Sequence, residues 1–247
     1  MTDVDLLLEF SMIFVFGFFA ELIDGSLGMG YGIISNSLLL SLGLSPALAS
    51  ATVHTAEIFT TLASGVSHFK FGNVDKKLFI DLVVPGLFSA VIGAYFLVNF
   101  PSTIIRKLVS FYLIIMGGVI ILRAFKINIF FKKVNVKSLA CVGGFLDAVG
   151  GGGWGPIVTS TLIANGQNPK KIIGSVNLAE FFITLAQSIT FLLLMGISNL
   201  WIVLALITGG VIAAPTAAYI CRKAPTRILL TAVGLLIIAL NLKIITI

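Results

Sequence analysis

Carboxyl side chains in apolar surroundings are the first residues of this sequence that could do chemistry. Six of them fall inside hydrophobic stretches: Glu21, Asp24, Glu57, Asp81, Asp147 and Glu180. An ionised carboxyl at the centre of a membrane helix costs roughly 2.5 to 3.5 kcal/mol, so such residues usually mark function. Glu57 follows His54 by three residues, and Glu180 follows Asn177 at the same spacing. This spacing places the two side chains of each pair on one face of a helix.

The pair of His54 and Glu57 could exchange a proton while a solute passes, because burial disfavours the charged form of both groups. We therefore predict a gating or proton-coupling role for the carboxyls of Asp24, Glu57, Asp147 and Glu180. The alternative is that Glu57 and Glu180 lock their helices against neighbouring elements. Asp24 and Asp147 precede glycine-rich runs by four residues and could brace those runs or contact the solute. Asp81 lies four residues after Lys77 and is expected to form an ordinary surface ion pair with it.

Glycine-rich breaks at 26–32 and 149–155 are candidates for the binding site itself. The N–H groups of a half-helix that begins at such a break, together with its dipole, attract an anion without a buried Lys or Arg. The predicted contacts are Gly28, Gly30, Gly32, Gly151, Gly153 and Gly155. The alternative is that these glycines only permit close helix packing, as small residues do in membranes.

Polar and aromatic residues near the breaks complete the predicted binding set. Hydroxyl and amide side chains that could hydrogen-bond an oxyanion are Asn36, Thr52, Thr55, Ser175 and Asn177. Tyr31 and Trp154 occupy matching places in the two breaks, where a ring could gate a pathway or fill the space left by glycine. Packing between helices explains the hydroxyls equally well.

An internal repeat relates these residues to one another. At an offset of 123 the sequence aligns Asp24 with Asp147, 28–32 with 151–155, Pro46 with Pro169 and Glu57 with Glu180. At an offset of 124 it aligns Gly86 with Gly210, Tyr95 with Tyr219 and Pro101 with Pro225. Each copy therefore predicts a glycine-broken pair of short elements followed by three long helices. The predicted organisation is a first repeat over 1–125, a basic linker over 126–137 and a second repeat over 138–247.

The elements that position these residues are membrane helices. Of the 247 residues 58% are hydrophobic and 11% are charged, whereas soluble domains carry about 25% charged residues. Long apolar stretches at 47–68, 78–98, 103–124, 172–194, 200–221 and 226–247 approach the length that spans a bilayer. Stretches at 6–23, 33–44, 138–149 and 156–165 look like half-helices, mostly too short to span. The fold class is thus an all-α polytopic membrane protein.

Loop charges predict that the two repeats have opposite orientations. The segment after the first long helix carries Lys70, Lys76 and Lys77, while its counterpart at 195–199 is uncharged. With the linker in the cytoplasm, 13 of the 16 Lys and Arg residues lie inside and both termini lie outside. Either re-entrant or fully spanning hairpins satisfy this count, and we favour re-entrant ones. The N-terminal stretch lacks the basic residues of a cleavable signal peptide, so none is expected.

The sequence resembles the TauE/SafE family of sulfite and organosulfonate exporters along nearly its whole length. The resemblance rests on A-x-x-x-D-G-x-x-G-M-G-Y-G at 20–32, F-L-D-A-V-G-G-G-G-W-G at 145–155 and the L-S-P turn at 44–46. It implies a bacterial-type inner-membrane exporter of small sulfur-containing anions such as sulfite, sulfoacetate or thiosulfate. One departure is that Asn177 stands where the first copy has His54, so the halves need not contribute equally.

Secondary transport of a small oxyanion at a midplane site between the repeats is the function that these features favour. The alternatives are transport of another small solute, a channel, or a non-transporting membrane partner subunit. An enzyme is not predicted, because no nucleophile and base are placed together once. The expected partners are the anion and the lipid bilayer. No cofactor, metal or nucleic acid is expected, and neither the oligomeric state, the direction nor the coupling ion follows from the sequence.

Overall fold

The computed structural model describes residues 3–127, 134–165, 168–196, 199–220 and 226–246. These ranges contain helices and no strand, which confirms the all-α class. The first half of the chain forms α1 (Asp3–Leu27), α2 (Tyr31–Ser41), α3 (Pro46–Lys70), α4 (Lys76–Asn99) and α5 (Ser102–Ala124). The second half forms α6 (Val136–Gly150), a π-helical turn (Gly155–Thr159), α7 (Ser160–Ala164), α8 (Pro169–Met195), α9 (Leu200–Ile220) and α10 (Thr226–Thr246). Lys132 and Lys133 of the predicted linker lie outside the described residues.

Side-chain caps begin three of these helices. The Asp75 carboxylate accepts hydrogen bonds from the first-turn N–H groups of α4, and the Asn135 side chain does the same for α6. Asn168 caps α8, whose first residue is a proline that has no N–H to satisfy. These three helices therefore start at sequence positions where a capping side chain is available.

Within the described ranges, five helices are long and apolar enough to cross a membrane: the segment Leu6–Gly25 of α1, α4, α5, Lys170–Met195 of α8 and Arg227–Thr246 of α10. The half-helix interpretation of 6–23 was therefore wrong in length. Its helix continues through Asp24 and reaches 25 residues, because no glycine pair interrupts it before Gly28. In α9 the described apolar segment is Leu200–Ala214, which is shorter than these five.

Helix α3 is equally long, with 25 residues, but it is not among those five. Its polar side chains Thr52, His54, Glu57, Thr60 and Thr61 are all buried. By contrast α4 exposes Ile80, Val84, Phe88 and Ile92, four residues apart on one face. Apolar side chains thus face outwards on α4 while α3 turns polar groups inwards, as expected where lipid surrounds a protein interior.

Short elements follow both glycine breaks. Helix α2 has 11 residues and extends about 16 Å, roughly half of a hydrocarbon core of about 30 Å. The π-helical turn and α7 together cover 155–164 and are similarly short. The two elements match the short stretches predicted at 33–44 and 156–165.

Four helices of the first half of the chain each pack along a helix of the second half. Helix α1 lies along α9, and α6 lies along α4. Helix α3 packs against α8, and α5 packs against α10. At the offset of the predicted repeat α1 corresponds to α6 and α4 corresponds to α9, so each pair maps onto another pair or onto itself. The core consequently contains residues of both halves, although the orientation of the repeats remains a prediction.

The ion pair of Asp81 differs from the one that spacing along α4 predicts. The Asp81 carboxylate lies 3.7 Å from Nζ of Lys137 at the start of α6, and the predicted partner Lys77 does not form an ion pair with it in the described part of the chain. Packing of α6 along α4 brings Lys137 to Asp81, which a local spacing rule could not anticipate.

Candidate functional site

The two glycine breaks cross each other in direct backbone contact. A Cβ added to Gly32 would lie 2.7 Å from Cα of Gly152, and one added to Gly155 would lie 2.7 Å from the carbonyl oxygen of Gly28. Real Cβ atoms do not approach that closely, so only glycine fits at either place. The start of α2 is thus pressed on the second break, and the π-helical turn is pressed on the first.

Two aspartates cap the elements that begin at the crossing. The Oδ1 atom of Asp24 accepts the N–H of Tyr31 at 3.3 Å, and Oδ1 of Asp147 accepts the N–H of Trp154 at 2.9 Å. Both carboxyls are buried, and in each half they reach seven residues ahead. The positive end of each element therefore already has a protein carboxylate beside it, and an anion bound there would have to compete with that carboxylate.

Tyr31 and Trp154 are fully buried at matching positions. The Tyr31 hydroxyl donates to the Leu206 carbonyl oxygen at 3.2 Å, and Nε1–H of Trp154 donates to the Val176 carbonyl oxygen at 3.3 Å. Each ring also lies against a glycine of the opposite half. Their contacts are those of rings that fill space, and the gating role remains a prediction.

A buried proton-binding pair lies beside the second break. The His54 ring has Nδ1 at 3.0 Å from Oε2 of Glu57 and Nε2 at 3.2 Å from the carbonyl oxygen of Asp147. A carbonyl oxygen only accepts, so Nε2 must carry a hydrogen. A hydrogen bond between Nδ1 and Glu57 then requires one further proton, held either by the ring or by the carboxyl. Loss of that proton would set a carboxylate against a ring lone pair and break the contact.

Asp147, two residues before the second break, connects the His54 and Glu57 pair to that break. Its Oδ2 atom accepts a hydrogen bond from Nε2 of Gln187 at 2.9 Å, while its carbonyl oxygen faces His54. The Ser50 hydroxyl donates to the Ala148 carbonyl oxygen at 2.6 Å, and the Tyr112 hydroxyl donates to that of Gly152 at 3.2 Å. The second break is therefore held by side chains from α3, α5 and α8.

Asn36 contributes another contact to this break. Its Nδ2 group donates to the carbonyl oxygen of Gly150, while its Oδ1 atom is buried and has no hydrogen-bond partner among the described residues. The structure therefore places Asn36 at the crossing of the breaks. This placement agrees with its inclusion among the candidate binding residues and leaves its contact with a solute a prediction.

The corresponding part of α8 has different partners. The Asn177 side chain donates from Nδ2 to Oγ of Ser64 at 3.0 Å, and its Oδ1 atom has no partner in the part of the chain that the structure describes. Glu180 is buried. Ser175 lies apart from the crossing, because its hydroxyl accepts the N–H of Asp75 at 2.8 Å at the start of α4.

A cavity of about 220 Å³ opens between α3, α8 and α9. Its polar lining consists of Thr52, Thr55 and Ser188, and its apolar walls include Leu48, Ile58, Phe191, Leu192 and Met195. The Phe191 ring stacks on the His54 ring with the two centroids 6.4 Å apart. Through Phe191, the cavity adjoins the proton-binding pair. Of the predicted binding residues, Thr52 and Thr55 line it.

Sequence reasoning missed several residues of this region. Gln187 and Ser188 are buried polar side chains of α8, and their position inside the apolar stretch 172–194 was a usable signal. Phe191 gave none, since the chain has 20 phenylalanines and a stacking partner is not visible in spacing. Glu21 is also buried, and one of its carboxyl oxygens has no partner among the described residues.

Comparisons with known proteins agree with this architecture. The family described as sulfite exporter TauE/SafE matches residues 13–244. A curated relative, the probable membrane transporter protein YtnM of Bacillus subtilis (strain 168), is 42% identical over 245 residues, covering 94% of this chain and 81% of the relative. No solved structure matches the chain. The family match covers nearly the whole described fold, including both glycine breaks, α3 and α8, and this multi-pass membrane protein therefore belongs to the sulfite exporter TauE/SafE family.

Proposed function

We propose that this membrane transporter exports a small sulfur-containing oxyanion, such as sulfite or an organosulfonate, by proton-linked secondary transport. The observation that carries the proposal is the cavity that adjoins the His54 and Glu57 pair beside the crossing breaks. The description of the family supports the substrate class and the direction, whereas the relative is named only as a probable membrane transporter. We place the site near the middle of the membrane, between the two repeats.

The lining of the cavity suits an organic sulfonate. The hydroxyls of Thr52 and Thr55 donate to the carbonyl oxygens of Leu48 and Ala51 in their own helix, and the Ser188 hydroxyl has no partner among the described residues. These hydroxyls can rotate towards an oxyanion, because each has one hydrogen and a low barrier to rotation. The apolar walls would accommodate the carbon chain of an organosulfonate.

The contacts of His54 support proton linkage. With one proton between Nδ1 and Glu57 the pair is neutral overall, and a second proton would give it a positive charge. A positive pair behind Phe191 would stabilise a monoanion in the cavity, because opposite charges attract strongly where water is scarce. Proton binding and anion binding would therefore strengthen each other by the same factor. Glu180 would supply the corresponding gating group on α8.

Sulfite flux in liposomes tests the proposal. Purified protein is reconstituted, and labelled sulfite is followed with and without an imposed pH gradient for wild type, Glu57→Gln and Glu180→Gln. We expect saturable flux that responds to the gradient in wild type and loses that response in Glu57→Gln. Asp81→Asn is the matched control, since Asp81 pairs with Lys137 away from the cavity. Saturable flux that ignores the gradient in every variant would remove proton linkage. Absence of flux for sulfite, sulfoacetate and thiosulfate would remove the substrate class.

A further inference from the structure

Arg123, at the end of α5, touches the first glycine break and the short helix that follows the second. Its Nη1 group lies 2.7 Å from Sδ of Met29 and 3.2 Å from Oγ of Ser160. Met29 is the residue between Gly28 and Gly30 in the first break, and Ser160 opens α7 directly after the π-helical turn. Met29 is fully buried, Ser160 is buried, and the arginine is half-buried. One guanidinium therefore joins the two halves of the crossing.

The charge of this guanidinium is not balanced by a carboxylate. Among the described residues the ion pairs are His54 with Glu57 and Lys137 with Asp81. The sequence outside the described ranges contains no Asp or Glu. A thioether and a hydroxyl are neutral, so neither balances the charge of the guanidinium. Arg123 is thus a partly buried cation without a counter-ion among the side chains that the structure describes.

The other described arginines have no carboxylate partner among the described residues either, but they have better acceptors or more contact with water. Arg106 donates from Nη2 to the carbonyl oxygens of Gly43 and Leu44, at 3.0 Å and 2.7 Å, where it closes the end of α2. The Arg227 guanidinium lies 4.2 Å from the centre of the Phe125 ring, on an exposed side chain. Arg106 thus binds backbone carbonyl oxygens, and Arg227 makes a cation–π contact; both contacts are common in proteins.

Arg123 meets a hydroxyl at the start of α7, and the residue before it in the chain carries another. A guanidinium has five N–H donors in a planar fork that matches two oxygens of a sulfonate or sulfite. The Ser160 hydroxyl lies beside it, and the neighbouring Thr159 is fully buried with a hydroxyl that has no partner among the described residues. Thr159 and Ser160 are placed by a π-helical turn, a distortion that is frequent at functional sites.

We propose that Arg123 and Ser160 form a second oxyanion site, in which the bound anion replaces Met29 as the partner of the guanidinium. The inference rests on the proposed function, because the ligand is the same class of small sulfur oxyanion. In the orientation predicted from loop charge, α5 ends on the cytoplasmic side. The site then captures the substrate on that side before it reaches the cavity beside His54.

Flux kinetics with substitutions at Arg123 test this site. Initial rates of sulfite efflux are measured over a concentration series for wild type, Arg123→Gln, Arg123→Lys and Ser160→Ala. We expect Arg123→Gln to raise KM about tenfold with a smaller change in kcat. A tenfold rise in KM corresponds to the loss of about one charge-assisted hydrogen bond. Arg123→Lys keeps the charge without the fork and should raise KM by less. Arg227→Gln is the control and should keep the wild-type KM.

Direct binding separates failure of this site from failure of the proposed transport. Sulfite binding to detergent-purified protein is measured by calorimetry for wild type and Arg123→Gln. Binding that depends on Arg123 in a protein without sulfite flux supports the site and removes the transport proposal. Sulfite flux with an unchanged KM in Arg123→Gln and Arg123→Lys overturns the site. If Arg123→Gln does not fold, Arg123→Lys and Ser160→Ala decide by the same criterion.

A lipid phosphate is the other source of an oxyanion at the end of a membrane helix. The KM measurement is therefore repeated in vesicles of phosphatidylcholine alone and in vesicles with phosphatidylglycerol. A KM effect of Arg123→Gln in both compositions supports a substrate site. An effect confined to vesicles with phosphatidylglycerol assigns the guanidinium to a lipid headgroup and overturns the inference.

Discussion

Helices α3 and α8 carry a glutamate at corresponding positions, Glu57 and Glu180, but the two glutamates have different neighbours. In α3, Glu57 shares a proton with His54, which in turn donates to the second break. In α8, Asn177 takes the place of His54 and hydrogen-bonds to Ser64 of α3 instead. An amide cannot change its charge near neutral pH, whereas an imidazole can. The comparison teaches that two corresponding helices can carry the same glutamate while only one of them places a titratable imidazole beside it.

The glycine breaks show the same inequality in their aspartates. The carboxyl of Asp24 accepts the backbone N–H of Tyr31, while that of Asp147 accepts both the N–H of Trp154 and the side chain of Gln187. The carbonyl oxygen of Asp147 also faces His54. The aspartate of the second break therefore makes more hydrogen bonds than that of the first. It is also the aspartate that contacts the His54 and Glu57 pair.

The largest expected effect is the difference in stability between Asp147→Ala and Asp24→Ala. Hydrogen bonds to charged groups contribute about 1.5 to 3 kcal/mol each. We expect Asp147→Ala to lose about 3 kcal/mol or more and Asp24→Ala about half of that. Thermal unfolding in mild detergent, with the folded fraction followed by size-exclusion chromatography, measures the difference. Equal losses in the two variants would contradict the unequal roles of the breaks.

Next in size is the effect of making α3 resemble α8 through His54→Asn. The variant cannot hold the proton between Nδ1 and Glu57, so we expect sulfite flux to fall about tenfold and to lose its response to a pH gradient. Liposome flux over a range of internal pH gives the result. The reciprocal change Asn177→His is the control, and we expect it to leave the pH response of wild type in place. A pH response that survives His54→Asn would assign the proton to another group.

A smaller effect is expected for the hydroxyl that lines the cavity from α8. Ser188→Ala removes one neutral donor, which corresponds to about 1 kcal/mol and roughly a fivefold rise in KM for sulfite. Ser175→Ala is matched in chemistry, but its hydroxyl binds the backbone of Asp75. We expect Ser175→Ala to keep the wild-type KM. The same KM change in both variants would show that the cavity does not hold the anion.

The smallest expected effect concerns the ring at the first break. Tyr31→Phe keeps the ring and removes the hydrogen bond to the Leu206 carbonyl oxygen, which should cost about 1 kcal/mol of stability without changing KM. Thermal unfolding and sulfite flux on the same preparation separate the two quantities. A large rise in KM would instead favour the gating role that the sequence left open for Tyr31.

Local sequence signals predicted much of the fold. Runs of apolar residues located the long helices, and duplicated glycines located the breaks, because both features depend on residues close together in the chain. The length of α1 was missed, because the apolar stretch 6–23 stops before Asp24 whereas the helix extends from Asp3 to Leu27. The pairing of α6 with α4 decides the partner of Asp81, and no local spacing contains that information.

The candidate site was predicted less completely for the same reason. His54 and Glu57 lie three residues apart, and their contact follows from helical geometry. Gln187 meets Asp147 across 40 residues, and the Arg123 guanidinium meets Met29 across 94. Arg123 was counted only as loop charge, because a sequence does not show which way a side chain near a helix end points.

The crossing of the breaks at Gly32 and Gly155 has a mechanical consequence. The two backbones touch at two places, Gly32 on Gly152 and Gly155 on Gly28, and neither contact has room for a Cβ. Two such contacts prevent one break from shifting along the other, so a tilt of either short element must be taken up by both. A spectroscopic label near the end of α2 and another near the end of α7 would then report correlated displacements.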